Sequence, residues 1–226
     1  MLSVVIPPLN AEATLPRTLG ALIPATAQGL VREVIVSDGG STDATLAIAD
    51  ATGATLVACA PGRGAQLRAG AGAARQPWLM FLHADTALEP GWEREIASFV
   101  ARDGAEARAA AFRFALDDFA RRARWLEAAV RWRCRLLALP YCDQGLVISR
   151  ALYDEIGGFA DMPLMEDVDM VRRLGRRRLA FLESRAVTSA ARYRSGGYLP
   201  RMARNAALLS LYFLRVPTHV LARLYG

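Results

Sequence analysis

Residues 33–45 read EVIVSDGGSTDAT, and the fold turns on what this stretch is. Glu33 to Ser37 is a short run rich in β-branched residues, closed by Asp38 and the Gly39–Gly40 pair. Ser41 then stands where a helix N-cap is favoured, ahead of a helical pattern over 42–52. A strand that ends in a tight turn and feeds straight into a helix is the repeating step of a parallel sheet. Outward from this stretch the same step recurs. Leu2 to Ile6, Thr55 to Ala58 and Trp78 to Leu82 read as strands, and helical stretches lie near 11–27 and 64–75. The fold class is therefore α/β, a Rossmann-like, mostly parallel sheet flanked by helices.

The second half of the chain changes rhythm. A helix is expected over 90–102, a strand over 109–116, and a long arginine- and tryptophan-rich helix over 118–138. A strand at Leu146 to Ser149 follows, then a helix from Arg150 to Ile156 stopped by Gly157–Gly158. A further helix runs from Glu166 to Gly175 and a strand from Leu179 to Glu183. Tyr198 to Gly226 reads as two basic amphipathic helices joined at Pro217. No shift in composition marks a linker, so residues 1–226 are expected to form one domain in two halves, about 1–90 and, with the C-terminal helices, about 91–226.

The formal net charge is +6, and all 28 basic residues are arginine, because the sequence has no lysine. Guanidinium groups grip phosphate and carboxylate in bidentate fashion, so the basic surface suits anionic substrates or lipid headgroups. Cys59, Cys134 and Cys142 are odd in number and lack CxxC spacing, which argues against a disulfide framework and a zinc site and for reduced thiols. The N-terminus lacks the basic and apolar regions of a signal peptide. The most apolar late segment, Ala206 to Leu214, is interrupted by Arg215 and Pro217, far short of the roughly 18 to 20 residues a bilayer requires. A cytoplasmic location is expected, either free or in peripheral contact with the inner face of the cell membrane.

Ligands of such sheets bind beyond the carboxyl ends of the strands, so the residues just after each apolar run carry the candidate chemistry. The turn after the first strand, PPLNAEATL, has no GxGxxG, which disfavours a dinucleotide-binding dehydrogenase. Asp38 either caps its own strand-to-helix turn or accepts hydrogen bonds from a base edge or ribose, with Gly39 allowing close backbone approach. In GRGAQLRAGA, residues 62–71, Arg63 and Arg68 are solvated residues of a helix start or neutralise a diphosphate. In LHADT, Asp85 projects from the sheet's carboxyl edge. A hard divalent ion, magnesium or manganese, takes one or two carboxylates plus phosphate oxygens, and Asp85 fits that requirement. His83, two residues away, either ligates the metal or hydrogen-bonds the diphosphate. In LMEDVDM, Glu166, Asp167 and Asp169 open a helix, where the macrodipole favours acids. Three carboxylates in four positions also suit general-base work, and Asp167 is the choice for that role, with Glu166 beside it.

Taken in order, SVVIPPLN, VIVSDGGSTDAT, LHADT, DQG at 143–145 and LMEDVDM resemble the motif series of the family 2 glycosyltransferases with the GT-A fold. The resemblance spans roughly residues 2–185, and five ordered motifs are far more specific than any one. GRGAQLRAGA, LHADT, DQG and PLMEDV also resemble a bacterial subgroup, some members of which are linked to carotenoid-acid glycosylation. The resemblance implies that Asp38 binds the nucleotide base and that Pro7, Asn10, Gly39 and Ala84 line the nucleotide pocket. It implies that Asp85 holds the metal on the diphosphate and that Gln144 and Gly145 shape the sugar and acceptor side. Asp167 would be the base of an inverting transfer from a nucleotide-sugar donor, UDP-linked by family habit, to a hydroxyl or carboxyl of a small or lipid acceptor. Where Asn–Glu is common in the first motif, this chain has Asn10–Ala11, with Glu12 one place later. His83 stands where many relatives have the first aspartate of DxD. No QxxRW follows the Glu–Asp pair, so a single transfer is expected rather than polymer synthesis.

Two other functions fit parts of the sequence. A nucleotidyltransferase shares this kind of sheet and metal but wants a glycine- and basic-rich loop after the first strand, which PPLNAEA is not. A nucleic-acid-binding module could use RWLEAAVRWRCR at 124–135 and GRRR at 175–178. The acidic motifs at the strand ends repel phosphate in the absence of a metal, so nucleic acid is not expected as a partner. The arginines and leucines of the tail fit packing on the domain or an interfacial membrane contact.

Overall fold

The computed structural model describes residues 1–225; Gly226 and the Cys142 side chain, and with it the expected Cys142 thiol, lie outside the described residues. The strands are β1 (Leu2–Ile6), β2 (Val31–Asp38), β3 (Thr55–Ala58), β4 (Trp78–Phe81), β5 (Thr86–Leu88), β6 (Ala109–Leu116), β7 (Leu146–Ser149) and β8 (Leu179–Thr188). They form one sheet in the order β3-β2-β1-β4-β7-β6-β8-β5. The pairings from β3 to β4, and that of β6 with β8, are parallel; β7 runs antiparallel to both of its neighbours, as β5 does to β8. The sheet is thus mostly parallel, with the antiparallel strands β7 and β5 confined to the side of the sheet beyond β4.

The helices are α1 (Leu15–Gly20), α2 (Ile23–Ala27), α3 (Thr45–Ala51), α4 (Arg63–Ala73), α5 (Trp92–Val100), α6 (Arg121–Leu137), α7 (Arg150–Glu155), α8 (Glu166–Leu174), α9 (Ala191–Gly196), α10 (Tyr198–Phe213) and α11 (Thr218–Tyr225). The stretch near 11–27 is two short helices, not one. Each starts with a proline in its first turn, where the missing N–H costs nothing.

Strands β1 and β4 are buried on both faces. Leu2, Val4, Ile6, Trp78, Met80 and Leu82 belong to one side of the core, and Val5, Leu79 and Phe81 to the other. Such inner strands are continuous apolar runs because no face meets water. Helix α4 lies so close to the sheet that a Cβ on Gly70 would stand 2.3 Å from Val5 Cγ1. A third cluster joins α6 to the end of β6 through Phe114, Leu126 and Val130, with Tyr198 from α10.

β2 and β3 lie on one side of β1 and β4 on the other, so the strand order reverses between β1 and β4. That switch point opens a crevice between the loops that leave the two strands. The loops are tied down: Thr18 Oγ1 of α1 donates to the Ala84 carbonyl at 3.0 Å, and Gln66 Nε2 of α4 donates to the carbonyls of Pro8 and Ser37 at 2.5 and 2.9 Å. The expectation for β8 ends at Glu183, five residues early. The strand continues to Thr188, paired to β5 through Thr86↔Thr188, and so delivers its last residues to the same crevice.

Candidate active site

The crevice at the switch point is one continuous cleft. Its inner part is lined by Tyr141, Asp143, Glu166 and Asp167, and its outer part by Pro7, Asn10, Gln66 and Ala84; Arg63, His83, Asp85 and Arg192 border both. His83, Ala84 and Asp85 leave the end of β4, and the backbone of Asp85 is pinned by Ser189 N–H, which donates to its carbonyl at 2.9 Å. His83 Nδ1 stands 3.6 Å from Asp85 Oδ1. Burial works to raise the Asp85 carboxyl, but the hydrogen bond and charge of His83 and the charge of Arg192 prevail, and it lies below its ordinary value.

Glu166 and Asp167 open α8 directly after Met165, whose φ of 67° is left-handed. For a methionine that conformation is strained, and such strain collects where a site needs a backbone direction that ordinary φ cannot supply. Val168 N–H donates to Asp167 Oδ1 at 2.7 Å and orients that carboxylate at the cleft wall. Glu166 is 1% exposed and has Arg63 Nε 3.3 Å from its Oε1, an ion pair without hydrogen-bond alignment. Burial pushes the Glu166 carboxyl up, Arg63 pulls it down, and Asp167 pushes it up again; the net direction is upward. Arg63 also reaches His83, Nη1 to Nε2 at 3.4 Å, so it spans from the acidic pair to the end of β4. Its place depends on Gly64, where a Cβ would lie 2.6 Å from the Ala160 carbonyl.

Asp143 enters the cleft from the loop ahead of β7, and its Oδ1 is sealed from solvent with no hydrogen-bond partner among the described residues. Burial raises its carboxyl, opposed by Arg133 and His83 and reinforced by Asp167 and Asp85. Asp143 is the first residue of the DQG motif, whose Gln144 and Gly145 are expected to shape the sugar and acceptor side. Gln144 is buried behind the wall: its Nε2 donates to the Phe112 carbonyl at 3.0 Å, and its Oε1 accepts from Arg133 Nη2 at 3.3 Å and Cys134 Sγ at 3.2 Å. Gly145, at φ 63°, leaves no room for a Cβ beside Phe112. Both shape the loop that carries Tyr141 and Asp143, and neither lines the cleft.

Asp38 is buried in its own turn, where Oδ2 accepts from Gly40 N–H and Ser41 N–H at 2.8 Å each and Oδ1 accepts from Ser41 Oγ. It does not line the cleft, and neither does Gly39, which backs onto Gln66. Asn10 does, but its Oδ1 accepts Thr42 N–H at 2.8 Å, and Glu12 Oε2 accepts Ala44 N–H at 3.0 Å, so the first-motif loop is laced to the β2–α3 turn. Arg68 does not line the cleft, and Asp161 Oδ2 lies 4.0 Å from its Nη1. Of the expected residues the structure brings together Pro7, Asn10, Arg63, His83, Ala84, Asp85, Glu166 and Asp167. The tail packs on the domain and walls the inner cleft with Arg201, Asn205, Leu208 and Tyr225.

Among the described residues no group of three or more His, Cys, Asp or Glu side chains could hold a metal ion. The donor set that is present, an ionised Asp85 with His83 beside it, still fits a hard divalent ion that takes the rest of its oxygen shell from a bound phosphate.

The profile of Glycosyl transferase family 2 matches residues 3–160. No curated protein matches the chain. The fold resembles glucosyl-3-phosphoglycerate synthase from Mycobacterium tuberculosis, solved with Mn2+, uridine diphosphate and glucosyl-3-phosphoglycerate. The two are 26% identical over 83% of this chain and 70% of that one, with a TM-score of 0.60. It also resembles S. aureus TarS 1-349 at a TM-score of 0.63, a likeness of fold alone at 15% identity, covering 84% of this chain and 60% of that one. With the profile match spanning well over half of its length, and with a GT-A sheet around an acidic cleft, the chain belongs to glycosyl transferase family 2.

Proposed function

We propose that this family 2 transferase moves a sugar from a nucleoside-diphosphate donor to a hydroxyl or carboxyl of a small or lipid acceptor, in one inverting, non-processive step. The observation that carries the proposal is that Asp85 at the end of β4 and Asp167 at the start of α8 line one cavity with Arg63 between their partners. UDP is the favoured nucleotide, because the mycobacterial synthase was solved with it.

Asp85, with His83, would hold a divalent ion, which when bound offsets the charge of the diphosphate. Pro7, Asn10 and Ala84 line the outer cleft and take the nucleoside. Arg63 and Arg192 border both parts and face the diphosphate, where guanidinium charge stabilises the leaving group. Asp167 accepts the proton of the acceptor hydroxyl as its oxygen attacks the anomeric carbon, and the bond to the diphosphate breaks with its electron pair leaving on the nucleotide. Glu166 holds Arg63 in place for that step. Tyr141, Tyr193 and Leu208 offer the acceptor an apolar wall.

Calorimetric titration with UDP, in the presence and absence of Mn2+, tests the reading. Binding is expected to require the ion, and Asp85→Asn to weaken it at least tenfold, about 1.4 kcal/mol. Absence of UDP binding under both conditions would remove the donor assignment, and an unchanged affinity in Asp85→Asn would remove the metal assignment.

A further inference from the structure

Helix α6 carries an apolar stripe that faces away from the protein. Trp125, Ala129, Trp132 and Leu136 follow one another at helical spacing, and at about 100° per residue they fall within an arc of roughly 60°. All are exposed, Trp125 to 70%, Trp132 to 60% and Leu136 to 63%, while the buried face of the same helix is Ala123, Leu126, Val130 and Cys134. The helix therefore has two apolar faces, and only one is used by the fold. Arginines flank the outward stripe. Arg121, Arg131 and Arg135 take part in no ion pair among the described residues. The one acid of the helix, Glu127, is buried and paired with Arg124 at 2.8 Å. At its C-terminal end, Arg176 donates to the carbonyls of Leu136 and Arg135 at 2.9 Å each, which brings the Arg176–Arg178 turn to the same side.

The geometry points to the outward face of α6 as a docking surface for an anionic lipid bilayer, with the helix lying in the plane of the headgroups. Tryptophan prefers the membrane–water boundary, leucine and alanine bury at the acyl edge, and arginine extends its guanidinium to lipid phosphate. A second copy of the chain would have to bring one arginine-flanked face against another with no acid to compensate. Single-stranded nucleic acid would use the aromatic rings for stacking but has no use for Leu136 and Leu137 beside them. Among the described residues no helix is long and apolar enough to cross a membrane, so contact through α6 is peripheral. The inner face of α6 bears on the cleft: Arg133 Nε donates to the Leu139 carbonyl at 2.9 Å and its guanidinium lies 3.5 Å from the centre of the Tyr141 ring. Docking thus fixes the distance between the bilayer and the loop carrying Tyr141 and Asp143. The surface stands independently of the transfer reaction.

Co-sedimentation of the full chain with vesicles of phosphatidylcholine, and of phosphatidylcholine mixed with phosphatidylglycerol, tests this. Partition into the anionic vesicles is expected, with a blue shift of tryptophan emission and release by added salt. The Trp125→Ser/Trp132→Ser double variant should partition at least roughly tenfold more weakly, with its circular dichroism and its UDP affinity unchanged. Arg131→Gln/Arg135→Gln should lose the preference for anionic over neutral vesicles. The proposal is overturned by a failure of the parent chain to bind anionic vesicles at low salt, or by equal partition of the tryptophan variant. A solution dimer that the tryptophan variant abolishes would give the face to a second copy, and oligonucleotide binding that displaces the vesicles would give it to nucleic acid.

Discussion

Replacing Arg63 by Met leaves a carboxylate that is 1% exposed, Glu166, without the guanidinium 3.3 Å away. Two unit charges at that separation attract by about 5 kcal/mol at an effective dielectric constant of roughly 20. Desolvation cancels much of this, and the Arg63 side chain is itself 33% exposed, so water screens part of the rest. A net loss of about 2 kcal/mol remains, on the low side of the ~3–5 kcal/mol that breaking a fully buried pair costs. The cost arises mainly from the stranded Glu166, so removing its charge as well should restore most of it. Urea unfolding followed by circular dichroism, on Arg63→Met, Glu166→Gln and the double variant in the presence of a chelator, closes the cycle. The expected coupling is about 1–2 kcal/mol, with Arg63→Met the least stable of the three. A loss under about 0.5 kcal/mol in Arg63→Met, together with additive single changes, would show that Arg63 is not the counter-ion of Glu166.

Asp167→Asn should keep Mn2+-dependent UDP affinity and lose transfer by roughly 10²- to 10⁴-fold; equal loss of both would take the role of base from Asp167. Gly70→Ala places a Cβ 2.3 Å from the Cγ1 of fully buried Val5. Overpacking of ~1–3 kcal/mol outweighs the ~1 kcal/mol that alanine gains in helix propensity, so the urea midpoint should fall; a rise would mean that α4 can move off the sheet. Tyr193 and Tyr198, ring centroids 5.3 Å apart, are both pushed up to about 12, chiefly by burial, with the charge of Asp143 adding at Tyr193 and the hydrogen bond to Asp118 adding at Tyr198. The folded state thus favours the protonated phenols, a stabilisation fully present below the ordinary value of 10.0 and lost as pH rises through about 12. Melting temperature should drop across that interval and drop less in Tyr193→Phe. An identical decline in that variant would exclude Tyr193 ionisation as a cause.

Four strands are fully legible: β1, β3, β6 and β7 begin and end where the sequence pattern puts them. β5 is not, since three residues, Thr86 to Leu88, have no period of their own and become a strand only by pairing with β8. The end of β8 is illegible for a related reason, because the polar run Glu183, Ser184 and Arg185, none of it buried, resembles a strand terminus. Missing that end also hides Ser189, Arg192 and Tyr193, which follow the strand into the cleft. In the site, the motifs located Asp85 and Asp167 because each sits where an element begins or ends. Asp38 sits in just such a place too, yet two local N–H groups within three residues capture its carboxylate. Spacing along the chain fixes which turn a side chain occupies; competition among nearby donors decides which way it points.

The part of the cleft contributed by Arg201, Asn205, Leu208 and Tyr225 comes from α10 and α11, helices that pack on each other, with α10 also against α6 and α9, and that are no part of the sheet's hydrogen-bond ladder. Substitutions there can redraw the contour and polarity met by an incoming molecule without touching strand register. The acidic residues set by the strand ends and by the start of α8 are thereby uncoupled from the wall that an incoming molecule meets, so kindred chains can keep the former and vary the latter by altering only this pair of helices.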